Sequence, residues 1–450
     1  MNKLLVQARA TLGRLTSWVR AHRTAVIDHG KTALIVVLCL SAVVLAGKTG
    51  LFGGTEPLEA LRDRFISASG NSSVSTDKGD YQETARPSVI AVSPETGTRY
   101  GAAFSNETDT MYDRFATCLG EALGSAGTPE AVNRTQWETA LSGTGVFFDY
   151  VQDQSLLCIA AWQGTSVPGT AAGHSARRFF LSVQDNGVRL YYISAATGQA
   201  YRCTTALAKS TLESRMDAYP SNGAVFAFEN EAYSALDGDV LIVPDTQEVR
   251  SLSVSNPGTP GSAEEIMQLF GMNHITATNY PESDGGRVYL DGDNTLRLGA
   301  DGVISFERGA AQETPLRVWN GRDSLPDVVD ALYQTTLKLM DGLGDAGIRL
   351  VRAEYDAPSE TYTVSFGYYL DGMQICLSTG NAADYVVSRD QILQATVRLR
   401  QYHLTGETQT PLPGVQAAAL VAATGGSEPI RVYRDNGDSV TVEWLSRRLP

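Results

Sequence analysis

Two hydrophobic periods alternate along this chain, one near 3.6 and one near 2, and the switches between them lay out its elements. The first long apolar run, Ala33–Gly47 (ALIVVLCLSAVVLAG), is uncharged and lies between Lys31 and Lys48. Extended by Leu51 and Phe52, it approaches the roughly 17–25 residues a membrane-spanning helix needs, and its flanking lysines suit the two interfaces. A cleaved signal peptide fits less well. Residues 1–31 are long for a leader, Cys39 sits inside the run, and no A-x-A cleavage pattern follows. The expectation is a basic cytoplasmic tail over 1–31, a transmembrane helix over 32–52 and a flexible linker over 53–84, polar and Gly/Ser-rich from residue 68. Leu4, Leu12, Leu15 and Trp18, interleaved with Arg, make the tail basic and amphipathic, which suits either the inner leaflet or a solvated topology signal.

Beyond residue 84 the pattern predicts an ectodomain of three parts. The first, 85–255, opens with a strand from Pro87 to Val92. Met111, Phe115, Cys118, Leu119 and Leu123 then mark a helix ended by Gly124. Thr128 and Pro129 suit the start of a second helix running through Leu141. Strands are expected at Val146–Val151 and Leu156–Trp162. A hairpin is expected around Gln184-Asp185-Asn186-Gly187, where Asn-Gly joins two β-rich runs. A helix at 206–218 and strands at Ala224–Phe228 and Val240–Val243 complete this part. The second part, 256–312, has a capping box of Ser262 and Glu265, a helix stopped by Gly271, and a meander turning at Asp291-Gly292 and Asp301-Gly302.

The third part, 313–450, begins with Ser324 and Asp327 capping a helix that ends at Gly342. Strands follow at Ile348–Tyr355, Tyr362–Leu370 and Met373–Leu377. A helix from Ser388, with Gln391 at its third position, is expected to run to Leu399. A last hairpin turns at Asp435-Asn436-Gly437. The fold class expected is α+β: one N-terminal transmembrane helix, then a multi-module ectodomain of antiparallel sheets with packed helices.

Charge sharpens this layout. Residues 1–48 hold seven of the 36 Lys and Arg and one of the 50 Asp and Glu, so the rest carries 29 basic against 49 acidic groups, a net charge of −20. Such a surface repels phosphates and disfavours nucleic acid as a partner. The basic residues ahead of the apolar run place the N-terminus in the cytoplasm and the ectodomain outside. Cys118, Cys158, Cys203 and Cys376 show no C-x-x-C or Cys/His metal spacing. Buried thiols fit the apolar surroundings of Cys118 and Cys158 better than disulfides do, though two disulfides remain open.

Candidate chemistry is sparse. His174, His274 and His403 are isolated, and there is no H-E-x-x-H, G-x-S-x-G, S-x-x-K or P-loop. Asp291-Gly292-Asp293-Asn294 lacks the spacing and the bidentate glutamate of a calcium loop. Glu229 with Glu231 reads as strand surface, and Glu264 with Glu265 as a helix first turn. Phe179, Phe180, Tyr191 and Tyr192 read as packing, with a carbohydrate platform as the sharper alternative. No catalytic, cofactor-binding or metal-ligating residue is assigned, no cofactor is expected, and the chain is read as a non-enzyme.

Three stretches resemble the YycH family of Firmicutes: VFFDYV with LLCIAAW (146–162), the central 265–307, and VSFGYYLDGMQI (364–375) with VYRDNGDSVTVEWL (432–445). The C-terminal part is also similar to the related YycI proteins. The resemblance implies a membrane-anchored, extracellular, non-enzymatic accessory protein in cell-wall homeostasis. Its partners would be the WalK/YycG sensor histidine kinase and a YycI-like paralogue. Ala42, Ala46 and Gly47, small residues in the expected span, are the candidate contacts with a kinase helix. An extracellular ligand- or wall-binding module of another system stays open as an alternative, as does an anchored hydrolase.

Overall fold

The run VFFDYV is apolar at successive positions because the strand that carries it is covered on both faces. In the computed structural model, residues 85–447 are described except 245–247, 259–261, 310–323, 343 and 389–390. The expected tail, span and linker, with Ala42, Ala46 and Gly47, lie outside the described residues.

The N-terminal half is built on β1 (Val89–Ser93), β2 (Tyr100–Ala103), β3 (Glu130–Val132), β4 (Gly145–Ser155), β5 (Ser175–Gln184), β6 (Gly187–Ser194) and β7 (Ala200–Thr204). They form one antiparallel sheet in the order β2-β1-β4-β5-β6-β7-β3. On one face lie α1 (Asn106–Gly124), α3 (Leu156–Trp162) and α4 (Lys209–Met216); on the other lies α2 (Arg134–Leu141). Val146, Phe148, Phe179 and Leu181 point into the first core, and Phe147, Phe180 and Tyr191 meet Trp137 of α2 in the second. The hairpin at Asp185-Asn186 forms as expected, with Gln184 paired to Gly187 in the left-handed region (φ +124°).

Two sequence expectations fail here. LLCIAAW is helix α3, not a strand: a short apolar run does not fix its own period, and as a helix it buries Leu156, Cys158, Ile159 and Ala160 against α1. The second helix starts later than Thr128-Pro129 suggests. Glu130–Val132 pair with β7 as β3, and Asn133 caps α2 in a reciprocal box with Gln136.

Two short strands, β8 (Val225–Phe226) and β9 (Leu241–Ile242), make a small ribbon, and β10 (Val249–Ser255) pairs with β20 (Gln401–Gln409). The C-terminal sheet holds β11 (Thr278–Pro281), β12 (Arg287–Asp291), β13 (Asn294–Leu298), β14 (Val303–Glu307), β15 (Gly347–Asp356), β16 (Thr361–Leu370), β17 (Met373–Cys376), β18 (Ala383–Ser388), β19 (Gln391–Arg398), β21 (Glu428–Asp435) and β22 (Val440–Arg447). Its order is β11-β12-β13-β14-β19-β18-β16-β17-β21-β22, with β15 on the other edge of β16. The central meander and the C-terminal strands therefore share one sheet, joined where β14 pairs with β19. All its ladders are antiparallel except β17 with β21.

Helix α5 (Ala263–Leu269) has the expected Ser262/Glu265 box, and α6 (Leu325–Leu339) is capped by Ser324 and turns Val328, Val329, Leu332 and Thr336 inward. Residues 391–398 are a strand, against the helix expected from Ser388. They alternate, burying Ile392, Ala395 and Val397, and pair on both sides. Helix α7 (Gly414–Ala423) was not expected; it has no side-chain cap, and it packs Ala418 and Val421 against the β8–β9 ribbon. Among the described residues there are seven α-helices, and none is long and apolar enough to cross a membrane.

Candidate functional site

Arg177 and Arg178 follow one another on β5, where strand alternation would send one to each face. Arg178 is buried, and Arg177 keeps only a small part of its side chain exposed. Arg178 is enclosed and bonds Asp149 of β4 at 2.8 Å, Asp237 at 2.8 Å, Asp239, and Glu428, the first residue of β21, at 3.0 Å. Arg177 reaches Glu428 at 2.7 Å and Asp149 at 3.2 Å. Arg134 of α2 adds Asp237 at 3.1 Å and Asp239 at 3.5 Å, Arg447 of β22 adds Glu428 at 3.7 Å, and Trp137 donates Nε1–H to Asp239 at 3.2 Å. The four carboxylates thus meet four guanidinium groups, the balance a buried network needs. Burial raises the Asp149 carboxyl, but Arg177 and Arg178 more than offset that and hold it below the ordinary range. Burial, with Asp237 beside it, outweighs the arginines at Asp239, whose carboxyl is pushed up to about 6. Chemically the cluster is a clamp between the two sheets, since every carboxylate oxygen pair in it already faces a cation.

A second feature is a cleft where β2, α1, β10, the β16–β17 turn and the C-terminal hairpin converge. It comprises adjoining hollows of about 50 and 390 Å³ that share Phe104, Glu107 and Arg431. Arg431, on β21, is only 5% exposed. Its Nη2 donates to the carbonyls of Ala103 and Phe104, and its guanidinium lies 5.7 Å from the Trp444 ring centroid. Phe104 holds φ at +52°, a strained value for a bulky residue, and this aims its carbonyl at Arg431. Nε of Arg431 has no partner, and no carboxylate lies against this guanidinium among the described residues. Burial lowers its pKa to about 10. Ser105 caps α1 without a side-chain bond, and its buried Oγ is likewise unpartnered.

The sequence candidates fall elsewhere. His174 sits 2.6 Å from the Tyr192 hydroxyl and packs on Tyr192 and Tyr201; His403 lies half-exposed, 3.9 Å from Asp345; His274 is apart from both. Glu229 accepts two bonds from Arg99 and one from the Phe226 N–H, so it is a fixed structural carboxylate, while Glu265 completes its capping box. Asp291 accepts from Asn273 N–H and Thr276 Oγ1, ending a turn rather than facing an ion. Phe179 and Tyr192 fill one core and Phe180 and Tyr191 the other, leaving no aromatic platform. Cys118, Cys158, Cys203 and Cys376 are free thiols; burial pushes Cys158 up to about 12 and Cys203 up to about 11, which keeps them unreactive. Among the described residues no group of three His, Cys, Asp or Glu is placed to hold a metal. The sequence reading missed Arg178 and Arg431. The signal for Arg431 is a lone arginine between Ile430 and Val432 inside a strand; Arg178, preceded by Arg177, carries no such signal.

These features define a two-sheet α+β protein whose halves are joined by a buried charge clamp. A solved structure of the same kind is that of YycH from Bacillus subtilis, with a TM-score of 0.53 over 82% of this chain and 95% of that one, at 11% identity. At that identity the likeness is one of fold. No protein-family model matches the chain, and no curated protein matches it in sequence.

Proposed function

We propose that this chain is a membrane-anchored extracellular accessory protein that regulates a cell-wall sensor histidine kinase of a two-component system. The observation that carries the reading is the YycH-like fold across 82% of the chain. Its ectodomain then hangs outside the cell from the helix at 32–52, in the three parts 85–255, 256–312 and 313–450, the last of them YycI-like. Regulation needs only that a contact, in the membrane or outside it, favour one of the kinase's two signalling states over the other. Ala42, Ala46 and Gly47 would allow a kinase helix close approach, and a YycI-like paralogue would be a second partner. The buried clamp supports this role, because a rigid ectodomain can transmit a displacement that a hinged one would absorb.

The test is a membrane pull-down of the tagged full chain beside a version lacking residues 1–52. Recovery of a sensor kinase by the full chain alone supports the reading and puts the contact in the span. Absence of any kinase from both samples sinks it. The second reading, a ligand-binding ectodomain, draws support from the Arg431 cleft.

A further inference from the structure

Among the described residues, four that are not glycine hold φ in the left-handed region. Glu360 and Asp371 do so in hairpin turns, where that conformation is ordinary. The other two are in neither a turn nor a helix cap. Phe104 (φ +52°) follows β2, and Val151 (φ +65°) interrupts β4, where the pairing with β5 shifts between Asp149 and Gln154. Both are buried, and an aromatic and a β-branched side chain suit this conformation poorly. Such strain persists only where the surroundings impose it.

One hairpin of the C-terminal half reaches both positions. Arg431 of β21 donates Nη2–H to the Phe104 carbonyl, and Trp444 of β22 packs edge-on against the Phe104 ring at 5.9 Å. Arg447, at the end of β22, donates Nη1–H to the Val151 carbonyl at 2.7 Å. The Val151 N–H is bound at 2.7 Å by Asp149, part of the cluster that Glu428 of the same hairpin completes. The hairpin's ladder to its own sheet, by contrast, is confined to its turn end. There Tyr433 and Arg434 pair with β17, and Asp435 is held by Arg400 at 2.8 and 3.0 Å and by the Tyr402 hydroxyl at 2.8 Å. The opposite end, Glu428 and Arg447, lies on the N-terminal half, and Gly425-Gly426 precede it, Gly425 with φ at +73°. Between the ends Ile430, Val432, Tyr433 and Val440 enter the shared core, which keeps the docked arrangement dominant.

The geometry points to the hairpin Glu428–Arg447 being a latch: pivoting at Asp435, it undocks from the N-terminal sheet as a unit, and Phe104 and Val151 relax when it leaves. The strain at those two residues is released on undocking, which brings the open arrangement closer in free energy to the docked one. A partner that favours one arrangement of the hairpin therefore changes the backbone of β2 and β4 without touching either strand. The rigidity that the charge clamp confers belongs to the docked arrangement. The latch goes beyond kinase regulation and does not require it.

The experiment is amide hydrogen exchange of the purified full chain, read by mass spectrometry on peptides covering 102–105, 149–153 and 429–434, with 179–182 in β5 as the reference. One opening exposes the first three together, so they should exchange at a common rate, about tenfold or more above the reference. The discriminating variant is Arg447→Met. The Arg447 side chain bonds the Val151 carbonyl and pairs with Glu428, and neither contact touches Phe104. A latch nonetheless requires that the variant speed exchange at 102–105 along with 149–153, by about tenfold, while the reference stays unchanged. Glu428→Gln, which removes the charge facing Arg177 and Arg178, should act on all three peptides in the same way. Should either variant fail to fold, the common rate on the unaltered chain decides the matter. The assignment is overturned if 429–434 exchanges as slowly as the β5 reference, or if Arg447→Met leaves 102–105 unchanged.

Discussion

Arg178 and Glu428 stand 250 positions apart in the chain and 3.0 Å apart in space. One lies in the middle of the N-terminal sheet, the other begins the C-terminal hairpin, so their contact fixes the sheets against each other. Truncating a residue of a buried ion pair costs about 3–5 kcal/mol, mostly because its partner is left without compensation. Glu428→Ala removes the ion-pair partner of Arg447, leaves four guanidinium groups facing three carboxylates, and should destabilise the protein by about 3 kcal/mol in urea unfolding of the purified chain. A loss below about 1 kcal/mol, as at an exposed pair, would mean that the cluster is hydrated and does not clamp the sheets.

The same cluster makes a signed prediction about pH. Asp239 titrates at about 6 in the folded protein, above the roughly 4 of an unfolded chain. The folded state therefore holds the proton more tightly, and this group's contribution is full below about pH 4 and lost as pH rises through 6. Asp149 and Asp237, held below the ordinary range by their arginines despite burial, act in the opposite sense, and their contribution disappears only as pH falls below about 4. Between pH 4 and 6 the Asp239 term lowers stability by at most about 3 kcal/mol. Asp239→Asn cannot titrate, so its urea midpoint should change less across that window than that of the unaltered chain. Parallel curves for the two proteins would show that Asp239 is ionised throughout.

What the sequence disclosed follows from which signals are local. Asn186-Gly187, Ser262 with Glu265, and the stripe from Val329 to Met340 act within one turn or one helix face, and the corresponding elements form where expected. LLCIAAW and residues 391–398 were misassigned because their conformation is set by what covers them, α1 in one case and two flanking strands in the other. The clamp and the cleft were illegible for a related reason. An arginine in a strand reads as an outward-facing position, and Arg178 and Arg431 are buried only because residues hundreds of positions away close over them. The small residues Ala42, Ala46 and Gly47 lie outside the described residues.

The hairpin between β15 and β16 turns at Ser359-Glu360, and Glu360 holds φ at +51° with its side chain exposed. An L-residue pays roughly 1 kcal/mol for that conformation, and asparagine tolerates it better without glycine's added freedom in the unfolded chain. Glu360→Asn should therefore raise the midpoint of thermal unfolding, with a gain of about 0.5–1 kcal/mol. A lower midpoint would show that the glutamate side chain contributes more than its backbone strain costs.

The turn Asp371-Gly372, between β16 and β17, lies directly on the start of α1. A Cβ on Gly372 would meet Thr108 Oγ1 at 2.5 Å and the Ser105 carbonyl at 2.7 Å, and the residue's φ is +72°. Backbone strain and collision act together, so Gly372→Ala should cost about 2 kcal/mol or more. Relief must come from moving the turn or the helix, and both line the cleft. Urea unfolding of the purified chain measures the effect. A loss below about 1 kcal/mol would mean that the strain dissipates away from α1, into the exposed Arg250–Asp371 contact.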